Sequence, residues 1–308
     1  MSPAMNHSPF APISKNLPPS SAKFPTKFSA VRRFTAAALG LVLIHAASAE
    51  IAVTSGEKIA FLGDSITQQG WGNPMGYVRL VIAGLEANDV KAVAVPAGIS
   101  GHKSDQMLAR LEKDVIAKKP QWMTLSCGVN DVWHGPKGVP LDEAALASGK
   151  YDAGVAKRGT YKQNIAKIVE QAEAAGIKVV LITTTVIKED LNNDLNAKLA
   201  TYNDYLRTLA KDKKLRLADL NAMCQERIKK ENRPNEKVLT VDGVHMAAEG
   251  NKLMATGILQ AFGLDAAQLK TAQDSWVSIE AAAKVAAEKR AAEKAAAKAT
   301  AKPKPAKK

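Results

Sequence analysis

The chain has 308 residues, 46% of them hydrophobic, which suffices for one sizeable α/β domain with tails, and no internal repeat is visible. Its formal net charge of +13 would suggest a nucleic-acid-binding protein if the charge were spread over the folded part. Residues 1–49 and 271–308 each contribute +5, however, which leaves only +3 for residues 50–270. We therefore exclude a polyanion-binding core and expect no nucleic acid as a partner.

The first 49 residues have the pattern of an export signal. A pair of arginines precedes an apolar run over residues 34–44, and the small residues at 47–49 suit a signal peptidase. The run is shorter than the roughly 20 residues that span a bilayer, so an uncleaved anchor is the less favoured alternative. We predict a signal peptide over residues 1–49 with an extended n-region, cleavage before Glu50, and an exported protein, periplasmic or extracellular.

Apolar runs alternate with helical patterns through the middle of the chain. Five short apolar runs predict strands, over residues 59–62, 90–95, 122–126, 178–184 and 215–220. Six segments with apolar residues at helical spacing predict helices, over residues 77–87, 105–118, 161–175, 195–211, 221–230 and 247–262. This alternation predicts an α/β fold, a three-layer α/β/α sandwich around a five-stranded parallel sheet.

Turn-forming residues set several of the predicted boundaries. The Gly, Asn and Pro residues of segment 68–76 predict a loop, and Pro96 is expected to end the second strand. Ser104 is expected to be the N-cap of the helix that follows.

Two segments do not fit the alternation. Residues 132–159 have no clean periodicity and form a long insertion, in which no apolar lid helix is evident. Beyond residue 265 the composition shifts to Ala, Lys and Glu, which predicts a solvated helix over residues 280–298 and a disordered basic end. We therefore predict a main domain over residues 50–265 and a tail over 266–308. Weak contact of the tail with anionic envelope polymers is an alternative to a merely solvated appendage.

The chain has two cysteines, Cys127 and Cys224. Export would permit a disulfide, but a single bridge is not a scaffold and both residues lie in apolar or helical contexts. We therefore expect buried free thiols.

A polar turn follows the first predicted strand, where the apolar run stops at Gly63, Asp64 and Ser65. Taken alone, this pattern favours an ordinary turn, because Gly, Asp and Ser are common turn residues. Gly101 follows the second strand and Asn130 the third, however, and a parallel sheet brings the carboxyl ends of its strands to one edge. Open α/β sheets bind their ligands at that edge, so the turn is a candidate active site.

A serine at this edge needs a base. Three histidines lie beyond the signal segment, His102, His134 and His245, and Asp242 precedes His245 by three residues. This spacing allows the carboxylate to orient the imidazole and stabilise its charged form. A serine hydroxyl activated in this way suits acyl transfer.

The oxyanion of an acyl-transfer intermediate requires hydrogen-bond donors. The backbone amides of Ser65 and Gly101 and the side-chain amide of Asn130 are the candidates. Glycine suits such a role because it lets the backbone approach a ligand closely.

Four sequence blocks now resemble those of the SGNH hydrolases, also called GDSL-type esterases and lipases. They occur in order over a span of about residues 57–263 and read Gly63-Asp-Ser-Ile-Thr67, Gly98-Ile-Ser-Gly101, Gly128-Val-Asn-Asp131 and Asp242-Gly-Val-His245. The resemblance implies that Ser65 is the nucleophile, that Gly101 and Asn130 are oxyanion donors, and that Asp242 and His245 are orienter and base. It also implies a flavodoxin-like sheet order, no cofactor and no metal.

The substrate is indicated only by residues beside the blocks. Trp71, Trp133, His102 and His134 lie there, and tryptophans near an open edge can stack on sugar rings, although packing roles are equally compatible. Exported relatives resemble carbohydrate esterases that remove acetyl groups from polysaccharides. We therefore predict a serine esterase that hydrolyses carboxylic ester bonds in carbohydrate.

Alternative functions remain open at this point. The first is a short-chain carboxylesterase or lysophospholipase that uses the same triad. A non-catalytic envelope carbohydrate-binding module belongs to a different class and would not need the complete set of catalytic residues. A metallophosphoesterase is weaker still, because Asp64 and Asp131 have no neighbouring His or Asp cluster with metal-ligand spacing.

Overall fold

The computed structural model describes residues 50–233 and 236–300. The predicted signal peptide and the last eight residues of the tail lie outside the described residues, so the predictions for them stay predictions. Within the described ranges, no helix combines the length and the apolarity needed to cross a bilayer.

A five-stranded parallel sheet forms the centre of the fold. Its strands are β1 (Lys58–Gly63), β2 (Val93–Gly98), β3 (Trp122–Ser126), β4 (Lys178–Ile182) and β5 (Arg216–Ala218). They lie in the order β2-β1-β3-β4-β5, and every neighbouring pair is parallel. This is the flavodoxin-like order, which confirms the predicted fold class.

Eleven α-helices connect and flank the strands in the described part of the chain. They are α1 (Ser65–Gly72), α2 (Tyr77–Glu86), α3 (Ser104–Asp114), α4 (Val129–Trp133), α5 (Glu143–Ala147), α6 (Ala153–Ala156), α7 (Tyr161–Ala174), α8 (Asp194–Lys213), α9 (Leu220–Glu231), α10 (Ala248–Ala261) and α11 (Ala266–Thr300). Helix α10 contacts α2, α9 and α11, and α7 contacts α3 and α8, which gives two groups of helices. The two groups are the outer layers of the sandwich.

The central strands are buried on both faces. Ile59, Ala60, Phe61 and Leu62 of β1 are all 0% exposed, and β3 is buried along its whole length. Continuous apolar strands are the expected consequence of helices on both sides of a parallel sheet. The core therefore fixes the edge at which β1 and β3 end.

Strand β2 lies further along the chain than predicted. It runs from Val93 to Gly98, so Pro96 is inside the strand and does not end it. The Val93 amide donates to the carbonyl of Glu57, just before β1, and the Ile99 amide donates to the carbonyl of Gly63, at the end of β1. The backbone N–H groups of the odd-numbered residues therefore face β1. The nitrogen of Pro96 therefore faces away from β1, at the edge of the sheet, where a missing N–H costs nothing.

Helix α1 occupies part of the predicted loop over 68–76. It runs from Ser65 to Gly72, and the Asp64 side chain caps it by accepting a hydrogen bond from the Ile66 amide. Position 70 of this helix requires glycine, because a side chain there would overlap the Tyr77 ring. Close packing against Tyr77 thus explains the glycine at this position, which lies in a helix and not in a loop.

Helix α3 begins at Ser104 itself, and Lys103 is the N-cap residue. The prediction of Ser104 as N-cap is therefore wrong. Its hydroxyl instead donates to Asp131 at 2.6 Å, a contact between segments 27 residues apart. The helix also ends earlier than predicted, at Asp114, and a 3-10 turn over Ile116–Lys118 follows.

Helix α11 begins well before the predicted residue 280. Trp276 is 2% exposed and its indole Nε1 donates to the Leu80 carbonyl at 2.9 Å. Leu269 and Ala272 on the same helix are also buried. The first half of α11 therefore packs on α2 and α10, and residues 284–294 of the same helix are exposed.

The insertion over residues 132–159 contains the short helices α5 and α6 and no long helix. Tyr202 anchors it by donating to the Val139 carbonyl at 2.6 Å, and Lys162 pairs with Asp142 at 2.8 Å.

Both cysteines, Cys127 and Cys224, are buried free thiols, as predicted.

Candidate active site

The end of β1 delivers Ser65 to the carboxyl edge of the sheet. Gly63 is the last residue of the strand, and a side chain at this position would overlap Thr67. Asp64 then caps α1, so that Ser65 is the first helical residue. Because the first amides of a helix have no partner within it, the Ser65 N–H is available to a ligand.

Asp242 and His245 lie together in a tight loop before α10. The Val241 amide donates to the His245 carbonyl at 2.9 Å, which closes the loop. Asp242 Oδ1 accepts hydrogen bonds from the amides of Val244 and His245 at 3.0 and 2.8 Å. The spacing of three residues thus lets one carboxylate organise the loop that carries the imidazole.

The imidazole of His245 connects Asp242 to Ser65. Its Nδ1 is 2.6 Å from Asp242 Oδ2, and its Nε2 is 2.9 Å from Ser65 Oγ. Partial burial opposes ionisation of Asp242, but the hydrogen bonds from His245 and Val244 outweigh it and lower its pKa to about 2. An ionised carboxylate only accepts, so Nδ1 carries the proton and Nε2 accepts from the serine hydroxyl. This arrangement can remove the proton of Ser65.

Two further candidate donors, Gly101 and Asn130, lie at the same edge of the sheet. Gly101 has a φ of +78°, a conformation that favours glycine, and its amide donates to no other group among the described residues. Asn130 Nδ2 contacts the His102 carbonyl at 3.2 Å and Asp64 Oδ2 at 3.4 Å. These long contacts orient the amide group without engaging it strongly.

His102 and His134 lie next to the oxyanion candidates. His102 follows Gly101, and its Nδ1 accepts from Arg110 Nε at 3.2 Å, whereas His134 Nε2 is 3.2 Å from Asn130 Oδ1. Burial and the Arg110 charge lower the pKa of His102, and burial and nearby lysines lower that of His134. Both imidazoles are therefore neutral at neutral pH and can exchange hydrogen bonds with an uncharged ligand.

The two tryptophans lie in different places. Trp133 is the last residue of α4, on the same short helix as Asn130, and is 40% exposed. Trp71 lies near the end of α1, about 9 Å along the helix axis from Ser65. The Arg79 guanidinium covers its ring at 4.4 Å from the centroid. The structure thus brings Trp133 to the site and does not bring Trp71 there.

Two buried carboxyl groups, Asp64 and Asp131, lie beneath the site. Asp131 Oδ1 accepts from the amide and the hydroxyl of Ser104, at 3.0 and 2.6 Å. Burial raises the pKa of each group to about 6. The negative charge of Asp131 raises the pKa of Asp64 further, and that of Asp105 raises the pKa of Asp131. The bonds to Ser104 thereby join α4, which carries Asp131, to the start of α3.

Arg110 is a residue of the site that the sequence patterns do not predict. Its side chain is nearly buried on α3, where Nη2 donates to the Gly63 carbonyl and Nη1 to the Ala97 carbonyl, both at 2.8 Å. Nη1 also pairs with Asp114 at 3.1 Å. The guanidinium thus connects the carboxyl ends of β1 and β2, where two loops of the site begin. The available signal was an arginine among the buried apolar residues of a helix, where a charge needs partners.

A cavity of about 740 Å³ opens at the opposite edge of the sheet. Its lining includes Trp122, Lys178 and Arg216, the first residues of β3, β4 and β5. This cavity lies away from the Ser65 edge, where the reactive side chains converge.

The chain matches the GDSL-like lipase/acylhydrolase family over residues 61–253, and it belongs to that family. It is therefore a hydrolase that acts on ester bonds.

Several relatives cover most of the domain. An acetylxylan esterase from Geobacillus stearothermophilus is 27% identical over 225 residues, which cover 69% of this chain and 97% of the relative. The crystal structure of an acetyl xylan esterase, AlAXEase, is similar with 31% identity and a TM-score of 0.55, covering 66% of this chain and 98% of that one. A crystal structure of an acetylxylan esterase from Geobacillus stearothermophilus has 25% identity and a TM-score of 0.56, with 70% and 97% coverage.

Proposed function

We propose that this protein is a carbohydrate acetylesterase that uses Ser65 as nucleophile, His245 as general base and Asp242 as orienter. The observation that carries the proposal is the continuous hydrogen-bonded chain from Asp242 through His245 to Ser65, with distances of 2.6 and 2.9 Å. Such a chain lets the imidazole take the serine proton as Oγ attacks an acyl carbon.

The reaction then proceeds in two half-reactions, formation of an acetyl-serine and its hydrolysis. Ser65 Oγ forms a bond to the acetyl carbon while its proton moves to His245 Nε2, and the charge of the imidazolium is stabilised by Asp242. The tetrahedral intermediate collapses when His245 returns that proton to the leaving sugar oxygen. Water then attacks the acetyl-serine with His245 as base, which releases acetate and restores Ser65.

Three donors would stabilise the oxyanion of both intermediates: the amides of Ser65 and Gly101 and the side-chain amide of Asn130. Asn130 is held in place through both ends of its amide, by the His102 carbonyl and by His134. An anionic oxygen at an ordinary hydrogen-bond distance competes successfully with Asp64, because the 3.4 Å contact to Asp64 is long and therefore weak.

A sugar ester is supported by the surroundings of the site and by the relatives. The proteins described as acetylxylan esterases match nearly their whole length to this chain. Exposed Trp133 offers a ring face on which a sugar can stack, and the neutral imidazoles of His102 and His134 suit hydroxyl groups. A long lid helix would suit a substrate with a long acyl chain, and the insertion contains only short helices.

We also propose that the protein is exported to the periplasm or the extracellular space, where polysaccharides are accessible. The motif over residues 1–49 supports this proposal. Fractionation of cells that express the full chain, with N-terminal sequencing of the mature form, tests it, and a cytoplasmic protein that begins at Met1 would contradict it.

The function is tested with p-nitrophenyl esters of acetate, butyrate and octanoate and with acetylated xylan, using the parent protein and Ser65→Ala. We expect the parent to prefer acetyl esters and to release acetate from xylan, and the variant to lose nearly all activity. Equal turnover by the two proteins would refute the nucleophile. A preference for butyrate with no release from xylan would instead indicate the short-chain carboxylesterase.

A further inference from the structure

The loop that carries Asp242 and His245 lies outside the sheet. It spans residues 238–247, between α9 and α10, and its only bridge pairing joins its own residues Thr240 and Met246 among those that the structure describes. Its distance from Ser65 must therefore be set by contacts with other segments.

Glu189 supplies such a contact from the loop after β4. Its Oε1 accepts from the amide and hydroxyl of Thr240 at 2.7 and 2.6 Å and from the Leu239 amide at 3.0 Å. Its Oε2 accepts from the Val238 amide at 2.6 Å and from the Leu239 amide at 3.2 Å. One carboxylate thus receives three consecutive backbone amides and a hydroxyl, an arrangement of charge-assisted hydrogen bonds that fixes a loop.

The contact extends to the turn between Asp242 and His245. Because the carboxylate of Glu189 only accepts, the Thr240 hydroxyl donates to it, and the hydroxyl oxygen is left to accept from the Gly243 amide at 3.1 Å. The Gly243 carbonyl in turn accepts from the Lys188 amide at 2.6 Å. Two neighbouring residues therefore hold the loop at two points: Glu189 binds its first residues, 238–240, and Lys188 binds Gly243 in its turn.

We propose that Glu189 is a positioning residue, which holds the Asp242–His245 loop at the distance from Ser65 that proton transfer requires. The inference rests on the proposed function. Glu189 touches neither substrate nor the reacting atoms, so it acts through His245. The contact between Asp242 and His245 is internal to the loop, so a displaced loop keeps that pair and loses the alignment with Ser65.

Glu189→Gln tests the proposal with little change in shape. The substitution replaces one carboxylate oxygen by an NH₂ group, which then faces a backbone N–H in either orientation of the amide. Because small misplacements of catalytic groups can cost up to about 100-fold, we expect kcat for p-nitrophenyl acetate to fall about 10- to 100-fold with KM changed less than about threefold. The acidic limb of the pH–rate profile should stay in place, because Asp242 and His245 remain paired.

Asp190→Asn is the matched control, since it removes one negative charge from the neighbouring exposed residue and should leave kcat unchanged. A second pair of variants keeps the test decisive if Glu189→Gln folds poorly. Thr240→Val removes the hydroxyl and should lower kcat, whereas Thr240→Ser retains it and should restore the parental value.

Thermal unfolding of each variant establishes that it is folded at the assay temperature. Parental kcat in folded Glu189→Gln, or equal kcat in Thr240→Val and Thr240→Ser, would overturn the proposal. Ser65→Ala is assayed in parallel: if it is inactive while Glu189→Gln is fully active, the positioning role alone fails. Full activity of Ser65→Ala would refute the proposed function itself.

Discussion

Asp131 should make the protein less stable as pH rises, and Asp131→Asn should remove this effect. The side chain is 0% exposed, and burial raises its pKa from 3.8 to about 6. Between these values the folded protein keeps the proton and the unfolded chain releases it, so the associated stability is complete below about pH 3.8 and is lost as pH rises through 6. At about 1.36 kcal/mol per pKa unit, the difference is of the order of 3 kcal/mol.

An asparagine at this position stays neutral and keeps an oxygen for both donors of Ser104. We therefore expect the free energy of unfolding of Asp131→Asn, relative to the parent, to rise by about 3 kcal/mol from about pH 4 to about pH 7.5. Urea unfolding of both proteins over this range measures the difference, in which the pH responses of all other groups largely cancel. Asp212→Asn, an exposed substitution near the end of α8, controls for net charge.

A relative stability that is flat with pH, or that moves in favour of the parent as pH rises, would refute the reasoning. Either result would mean that Asp131 is ionised in the folded protein at pH values well below 6, in spite of its complete burial.

Three further predictions concern the site, the tail and the thiols. Asn130→Ala should lower kcat for p-nitrophenyl acetate by about 100- to 1,000-fold with little change in KM, because it removes one of the proposed oxyanion donors. A loss of less than about threefold would exclude Asn130 from the oxyanion hole. Trp276→Ala should lower the free energy of unfolding in urea by about 3–5 kcal/mol, because it removes a buried ring and the hydrogen bond to the Leu80 carbonyl. A decrease below about 1 kcal/mol would show that α11 is not packed on the domain in solution. Cys127 and Cys224 should react with a thiol reagent at pH 8 only after unfolding, since burial raises the pKa of both thiols, to about 12 for Cys224; fast reaction of either in the native protein would contradict their burial.

The sequence predicts the sheet and the position of Ser65 because both depend on local patterns. The apolar run of β1 is continuous, which is the signature of a strand buried on both faces, and it stops at Gly63. The carboxyl ends of parallel strands share one edge, so the convergence of Ser65 and Asn130 follows from topology. Asp242 and His245 are likewise recognisable because their contact is only three residues long in sequence.

Contacts between distant segments could not be predicted in the same way. Ser104 has the local features of an N-cap, yet its hydroxyl bonds Asp131 and the helix begins one residue earlier than the capping rule implies. Gly70 suggests a loop until the Tyr77 ring is placed against it. Glu189 lies about 50 residues from the amides that it accepts, and no pattern in its own segment indicates a partner.

The two outer strands of the sheet have a consequence for self-association. An edge strand with free N–H and C=O groups is a template on which a second molecule can add a strand, and this is a common route to aggregation. Strand β2 presents the ring of Pro96 in place of one outward N–H, and β5 at the other edge is only three residues long. Neither edge offers an unbroken row of hydrogen-bonding groups, so the same proline that fits the outer position also protects the sheet against pairing with another copy.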